Sequence, residues 1–155
     1  MSENKNHNAQ RMNIEAVKRI VSTVRTTLGP MGMDKMMVDG GGNVIVTNDG
    51  ATILRELDSA HPAAKMIVEV SKVQETNWYD GTTSSVVIAG QLLSNAETLF
   101  DKGLHPNVVN KGYSKARDMV QEMLPSLAVE GERQLQSIAK TAITGKSLET
   151  SDQKV

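Results

Sequence analysis

Residues 80–90 have the sequence Asp-Gly-Thr-Thr-Ser-Ser-Val-Val-Ile-Ala-Gly, in which a polar turn runs directly into an apolar segment. A glycine lets a ligand approach the backbone closely, and a helix start offers unpaired N–H groups and the positive end of the dipole. Asp80 suits Mg²⁺, which prefers oxygen ligands and usually shares them with substrate phosphates. The stretch therefore predicts a loop for a magnesium-bound phosphate at the start of a buried helix.

A second Asp-Gly turn, Thr47-Asn48-Asp49-Gly50, lies earlier in the chain. If the two turns meet, Asp49 could orient an attacking water. Each turn by itself also has a purely structural interpretation. The Asp80-Gly81 stretch is typical of a turn followed by a helix cap. The Asn48-Asp49-Gly50 stretch is typical of an ordinary turn.

Composition limits the class of protein. A chain of 155 residues is typical of one domain. With 17 basic and 18 acidic residues the net charge is -1, so there is no basic surface for nucleic acid or for a membrane. The chain has no cysteine, which excludes disulfides and thiolate zinc sites. Residues 1–11 are polar and do not resemble the apolar core of a secretory signal, and no apolar run is long enough for a membrane helix. These features predict a cytoplasmic protein.

The spacing of apolar residues predicts a mainly α fold with one small β-hairpin. Residues 1–11 are polar and are predicted to be disordered, and Asn13 is predicted to cap the first helix. Strands are expected at 36–38 and 44–46, around a glycine-rich hairpin tip at 40–43. Pro62 and Pro106 are expected to open helices, and Gly103 to end one. The predicted inward residues are Ile14, Val17, Val21, Val24 and Leu28 in the first helix; Ile53, Leu54 and Leu57 in the second; Ala63, Met66, Ile67, Val70 and Val73 in the third; the apolar start of a helix over 83–100; Val109, Tyr113, Ala116, Val120, Met123 and Leu127 in the fifth; and Leu135, Ile138, Ala139, Ala142 and Ile143 in the last.

Four motifs, in this order, resemble the group II chaperonins, which are the archaeal thermosome and its eukaryotic cytosolic relatives. They are Leu28-Gly29-Pro30-Met31-Gly32-Met33-Asp34-Lys35-Met36, Val46-Thr47-Asn48-Asp49-Gly50-Ala51-Thr52-Ile53-Leu54, His61-Pro62-Ala63-Ala64-Lys65-Met66 and Asp80-Gly81-Thr82-Thr83. The resemblance implies the helical bundle of a chaperonin equatorial domain. Residues 12–143 would form the N-terminal part of this ATP-binding domain, and residues 144–155 the start of the intermediate hinge domain.

The resemblance also implies a function. The family consists of ATP-dependent molecular chaperones whose subunits form double rings, enclose unfolded protein substrates and hydrolyse ATP with Mg²⁺. By the family pattern, Asp80 is the magnesium ligand and Asp49 is the catalytic residue that positions the hydrolytic water. The residues expected to bind the nucleotide are Leu28, Gly29, Pro30, Asn48, Gly50, Gly81, Thr82, Thr83 and Ser84.

The chain departs from the family pattern in and around this expected site, most clearly at Met31 and Tyr79. Met31 stands where the family usually has lysine, and Tyr79 stands where it usually has glycine. Because tyrosine accepts a positive φ poorly, the Tyr79 position predicts a strained loop. The 155 residues also lack the family's apical domain and the returning half of its equatorial domain, which completes the pocket. Two alternatives therefore stand beside the ATPase: a non-hydrolysing ring-assembly or adapter module, and a partial-sequence fragment of a subunit.

Other motifs receive structural interpretations. Gly145-Lys146-Ser147 resembles part of a P-loop, but Lys140 stands where that loop needs its first glycine. The glycines at 40–42 are not followed by a helix start and are interpreted as the hairpin tip. His7, His61 and His105 are scattered along the chain and are interpreted as structural or solvent-facing residues rather than metal ligands.

Overall fold

The computed structural model describes residues 2–29, 31–57, 59–128 and 131–143. Its helices are α1 (Ser2–Arg25), α2 (Gly50–Glu56), α3 (Pro62–Trp78), α4 (Thr82–Asp101), α5 (Pro106–Leu127) and α6 (Leu135–Ile143), the last preceded by a 3₁₀ turn (Gly131–Gln134). Two strands, β1 (Lys35–Val38) and β2 (Val44–Thr47), form an antiparallel pair. This confirms the predicted class, a mainly α fold with one hairpin. The expected hinge segment, residues 144–155, lies outside the described residues.

Contacts divide the described chain into two compact units, residues 2–94 and residues 95–143. The first unit contains α1, the hairpin, α2, α3 and most of α4. It also contains every described residue of the predicted site. The second unit contains the end of α4 together with α5 and α6.

Helix α1 begins earlier than the sequence predicted. It starts at Ser2, so residues 2–11 are helical rather than disordered and Asn13 lies inside the helix instead of capping it. No proline or glycine occurs between residues 2 and 25. Once a helix has formed, each further residue adds a backbone hydrogen bond at little cost, so polar turns can extend a helix whose later turns are packed.

The hairpin agrees with the prediction. Met36 pairs with Val46, and Val38 pairs with Val44. At the tip, Asp39 Oδ1 accepts hydrogen bonds from the N–H groups of Gly41 and Asn43, each at 2.8 Å, and Asp39 Oδ2 accepts one from Asn43 Nδ2 at 2.8 Å. These bonds, above all the one from the Asn43 side chain, lower the pKa of Asp39. The tip is therefore closed by its own hydrogen bonds, as expected for a turn rather than a phosphate loop.

One hydrophobic core holds the first unit together. Its nine buried residues come from four helices and are Val17, Ile20, Val21, Val24, Ile53, Leu54, Ala64, Ile67 and Val86. In α1 the predicted inward residues from Ile14 to Val24 are buried. Leu28 is 46% exposed, because the helix ends at Arg25 and no longer directs this side chain toward the core.

The predicted inward face of α3 is wrong in part. The residues buried on this helix are Ala64, Ile67 and Ser71, whereas Met66 and Val73 are more than half exposed and Val70 is 39% exposed. The small side chains of Ala64 and Ser71 let neighbouring helices approach closely. Ile67 is buried as predicted, and the rest of the buried face is formed by these small residues rather than by Met66, Val70 and Val73. Ser71 Oγ has no hydrogen-bond partner in the described part of the chain.

The predicted inward face of α5 is also wrong over most of its length. Val109 is buried, but Val120, Met123 and Leu127 are each more than half exposed. In α4 the expectation of a buried start is right for Val86 and wrong for Ile88, which is 61% exposed. Helical spacing identifies the side chains that share a face, but burial also requires another element to cover that face.

Candidate functional site

The two Asp-Gly turns meet in the structure. Gly50, the first residue of α2, packs directly against Thr83 at the start of α4. A Cβ atom added to Gly50 would overlap Thr83 Oγ1 and lie 3.1 Å from Thr83 Cβ and 3.3 Å from its Cα. Only glycine allows the turn that carries Asp49 to approach the loop that carries Asp80 this closely. The expected catalytic residue and the expected metal ligand are thereby placed on adjoining segments.

Asp49 caps α2 with one of its two carboxylate oxygens. Its Oδ2 accepts hydrogen bonds from Thr52 N at 2.8 Å and from Thr52 Oγ1 at 2.7 Å. Arg55 Nη2 in turn donates to Thr52 Oγ1 at 3.2 Å. Among the described residues Asp49 Oδ1 has no such partner, and Asp49 is exposed. The capping bonds therefore restrain the carboxylate and leave Oδ1 available to a water or a ligand.

The Asp80 loop presents backbone donors at the start of α4. Ser85 N donates to Gly81 O at 2.9 Å, which is the first hydrogen bond of this helical segment. The N–H groups of Thr82, Thr83 and Ser84 precede it and have no carbonyl partner within the helix. Asp80 Oδ1 accepts a hydrogen bond from Gly81 N at 2.7 Å. The loop thus combines an exposed carboxylate with backbone N–H groups at a helix N-terminus, where anions bind favourably.

The Leu28–Pro30 segment follows the end of α1. Gly29 has a φ of 90°, and Gly32 N donates to Gly29 O at 2.9 Å. Pro30 lies outside the described residues, and Met31 is almost fully exposed. The hydrophobic core connects this segment to the two turns. Val24 of the core precedes Leu28 by four positions, Ile53 follows Gly50 by three, and Val86 follows Thr83 by three.

Tyr79, directly before Asp80, has a left-handed backbone conformation. Its φ is 56° and its ψ is 10°, and its N–H group donates to Glu75 O at 3.0 Å at the end of α3. Among the described residues it is the one non-glycine residue with a positive φ. Its side chain is 86% exposed. The strain expected from the sequence is therefore present in the loop that carries the expected metal ligand.

Asp49 and Asp80 are the two exposed carboxylates of the expected site. In the described part of the chain, no group of three or more His, Cys, Asp or Glu side chains could hold a metal ion. His61 and His105 serve as helix caps instead, with Nδ1 atoms that accept from Ala63 N and Asn107 N. None of the described helices is both long and apolar enough to cross a membrane.

Comparison with known proteins identifies the family. Residues 20–155 match the sequence profile of the TCP-1/cpn60 chaperonin family. The chain belongs to this family. It is 56% identical over 145 residues to a thermosome subunit of Methanopyrus kandleri, a match that covers 91% of the chain and 27% of that relative. It is 57% identical over 145 residues to a thermosome subunit of Pyrococcus abyssi, with 91% and 26% covered.

A third relative, the thermosome subunit alpha of Thermoplasma acidophilum, is 54% identical over 142 residues, covering 90% of the chain and 26% of the relative. The chain therefore spans about a quarter of the length of the curated relatives it matches. These matches confirm the resemblance to the group II chaperonins that the four motifs indicated.

Three residues that restrain the expected site residues were not predicted from the sequence. Thr52 and Arg55 restrain Asp49, and Gln74 Nε2 donates to the carbonyl oxygen of Asp80 at 2.9 Å. Thr52 could have been found, because its position three residues after Asp49 is typical of a residue bonded to a helix cap. Gln74 could not, since its role depends on a loop that turns back over the end of α3.

We expect Tyr79→Gly to raise the free energy of unfolding by about 1 kcal/mol, because glycine adopts a positive φ without the steric cost that a side chain incurs. Urea unfolding measures the change. Tyr79→Ala is the matched control: it removes the exposed ring but keeps the Cβ atom, so it should not stabilise the protein. Equal stabilisation by both variants would show that the ring, and not the backbone conformation, causes the strain.

Proposed function

We propose that this chain forms a magnesium–nucleotide site of an ATP-dependent chaperonin subunit. The contact between Gly50 and Thr83 is the observation that carries the proposal. It brings the Asp49 turn against the Asp80 loop, as the two halves of a phosphate site require. The relatives that match this chain are named thermosome subunits, which supports the same assignment.

In this proposal each group has a role that suits its chemistry. Asp80 supplies a carboxylate oxygen to Mg²⁺, which would neutralise charge on the phosphates when bound. The N–H groups of Thr82, Thr83 and Ser84, with Gly81 before them, bind phosphate oxygens at the start of α4. Asp49 orients the attacking water through Oδ1, since Oδ2 is held by Thr52. Leu28, Gly29 and Pro30, together with Asn48 and Gly50, contact the nucleotide.

Membership of the family supports a wider function. The complete subunit would hydrolyse ATP, assemble with other chaperonin subunits into a double ring, and bind and fold unfolded proteins in the cytoplasm. Residues 12–143 would be the first part of its equatorial domain, and residues 144–155 would begin its hinge. Hydrolysis would rest on positioning and on charge neutralisation, because phosphoryl transfer needs little covalent chemistry from the protein.

A second candidate function, that of a ring-assembly module without hydrolysis, is favoured by the outer face of the hairpin. Met36, Val38, Val44 and Val46 form two cross-strand pairs on this face, and each side chain is more than 60% exposed. An apolar sheet face of this kind is typical of a surface that contacts another protein. The two candidates differ in whether the chain binds and hydrolyses nucleotide.

A titration of the 155-residue chain with ADP, with and without Mg²⁺, tests the proposal. Trp78 is the only tryptophan and lies two positions before Asp80, so its fluorescence reports on the loop. We expect a saturable fluorescence change that requires Mg²⁺, and shifts of the Gly81, Thr82 and Thr83 amide resonances in the same titration. Binding that is absent at millimolar ADP, or that is indifferent to Mg²⁺, would overturn the proposed site.

A further inference from the structure

The loop that carries Asp80 is fastened to the last turns of α3 by one side chain. Gln74 Nε2 donates a hydrogen bond of 2.9 Å to the carbonyl oxygen of Asp80. Gln74 is half-buried, whereas Tyr79 and Asp80 are exposed. This hydrogen bond connects residues six positions apart, so it belongs to neither the α3 nor the α4 backbone pattern.

The backbone of the loop lies directly over Gln74. Gly81 has a φ of 71°, and a Cβ atom added there would be 3.2 Å from Gln74 Nε2. Just before it, Tyr79 N is bonded to Glu75 O at the end of α3. The chain therefore turns back onto the helix it has just left, with the Gln74 amide packed beneath Asp80 and Gly81.

Two features indicate that the hydrogen bond from Gln74 to Asp80 keeps the loop in position for a ligand. Tyr79 is held in a left-handed conformation that a non-glycine residue disfavours, so the loop would relax if nothing opposed the change. Asp80 is restrained at its carboxylate by Gly81 N and at its carbonyl by Gln74. Together these bonds hold the carboxylate beside the free N–H groups at the start of α4.

We propose that Gln74 is a positioning residue for the magnesium–phosphate loop. It acts through the Asp80 backbone and does not touch the nucleotide or the metal. The role rests on the function proposed above for Asp80. Because the loop is ordered before the ligand arrives, binding does not incur the full entropic cost of ordering it. Loss of the Gln74 donor should therefore weaken binding while the fold remains.

The test compares three variants of the 155-residue chain in the fluorescence titration with Mg·ADP. Gln74→Met keeps the length of the side chain and removes the donor, and we expect it to weaken binding about fivefold, as for one neutral hydrogen bond. Gln74→Lys retains an N–H donor with sufficient reach, so it should bind within about twofold of the wild type. Gln121→Met makes the same exchange on the exposed surface of α5 and should bind like the wild type.

A merely structural role would give a different pattern. If Gln74 only stabilised the fold, Gln74→Met would have a lower urea unfolding midpoint as well as a lower affinity for Mg·ADP. Gln74→Lys would then not restore binding. If Gln74→Met binds Mg·ADP with wild-type affinity, or if Gln74→Lys binds as weakly as Gln74→Met, the positioning role of Gln74 is wrong. Neither result contradicts the proposed function. If the wild-type chain does not bind Mg·ADP, the proposed function fails, and the positioning role fails with it.

Discussion

Asp80→Ala is expected to abolish magnesium-dependent nucleotide binding by this chain, with a loss of on the order of 100-fold or more in affinity. Asp80 provides the carboxylate nearest the start of α4 in sequence, and its Oδ1 is bonded to Gly81 N. The variant removes the metal ligand and also this loop hydrogen bond. The Trp78 fluorescence titration measures the effect, and in a complete subunit ATP turnover should be lost as well.

Asp80→Asn separates the two effects. Asparagine retains an oxygen that can accept the hydrogen bond from Gly81 N, but it carries no charge for Mg²⁺. We expect it to lose binding nearly as completely as Asp80→Ala. Asp118→Ala, the same change on the exposed surface of α5, should leave binding unaltered. Normal Mg·ADP affinity in Asp80→Asn would show that this carboxylate is not the metal ligand.

Gly50→Ala is expected to have the second-largest effect. The added Cβ atom would overlap the Thr83 side chain, so the two turns would have to separate. Overpacking of this kind costs about 1–3 kcal/mol of unfolding free energy. Moving Thr83 would also displace the N–H groups proposed to bind phosphate, so we expect Mg·ADP affinity to fall at least about tenfold. Urea unfolding and the fluorescence titration measure the two losses separately.

Gly40→Ala is the matched control, because Gly40 has open space around its Cα atom and no positive φ. It should change neither stability nor binding appreciably. Combining Gly50→Ala with Thr83→Ala removes the closest clashing atom, so the double variant should recover part of the stability lost in Gly50→Ala. Unaltered binding in Gly50→Ala would show that the contact between the turns is not needed for the site.

Much of the fold could be predicted from short stretches of sequence. The starts of α3 and α5 at Pro62 and Pro106, the end of α4 near Gly103 and the hairpin around residues 40–43 were all predicted correctly. Each depends on the conformational preferences of a few consecutive residues, such as the fixed φ of proline and the freedom of glycine. The four chaperonin motifs are likewise local, which is why the family could be identified before the fold was known.

Burial and the assembly of the site were decided by the tertiary structure. Periodicity favoured Ala63, Met66, Ile67, Val70 and Val73 as the inner face of α3. Ile67 is buried as predicted, but the other buried positions are Ala64 and Ser71, whose small side chains permit close packing. The sequence by itself was sufficient to identify the family, most of the helices and the two Asp-Gly turns, but not the helix caps, since the one predicted at Asn13 lies inside α1. The contact of Gly50 with Thr83 and the attachment of Gln74 to Asp80 required the folded chain. Such contacts depend on how packed helices orient their ends, and no local pattern of residues encodes that orientation.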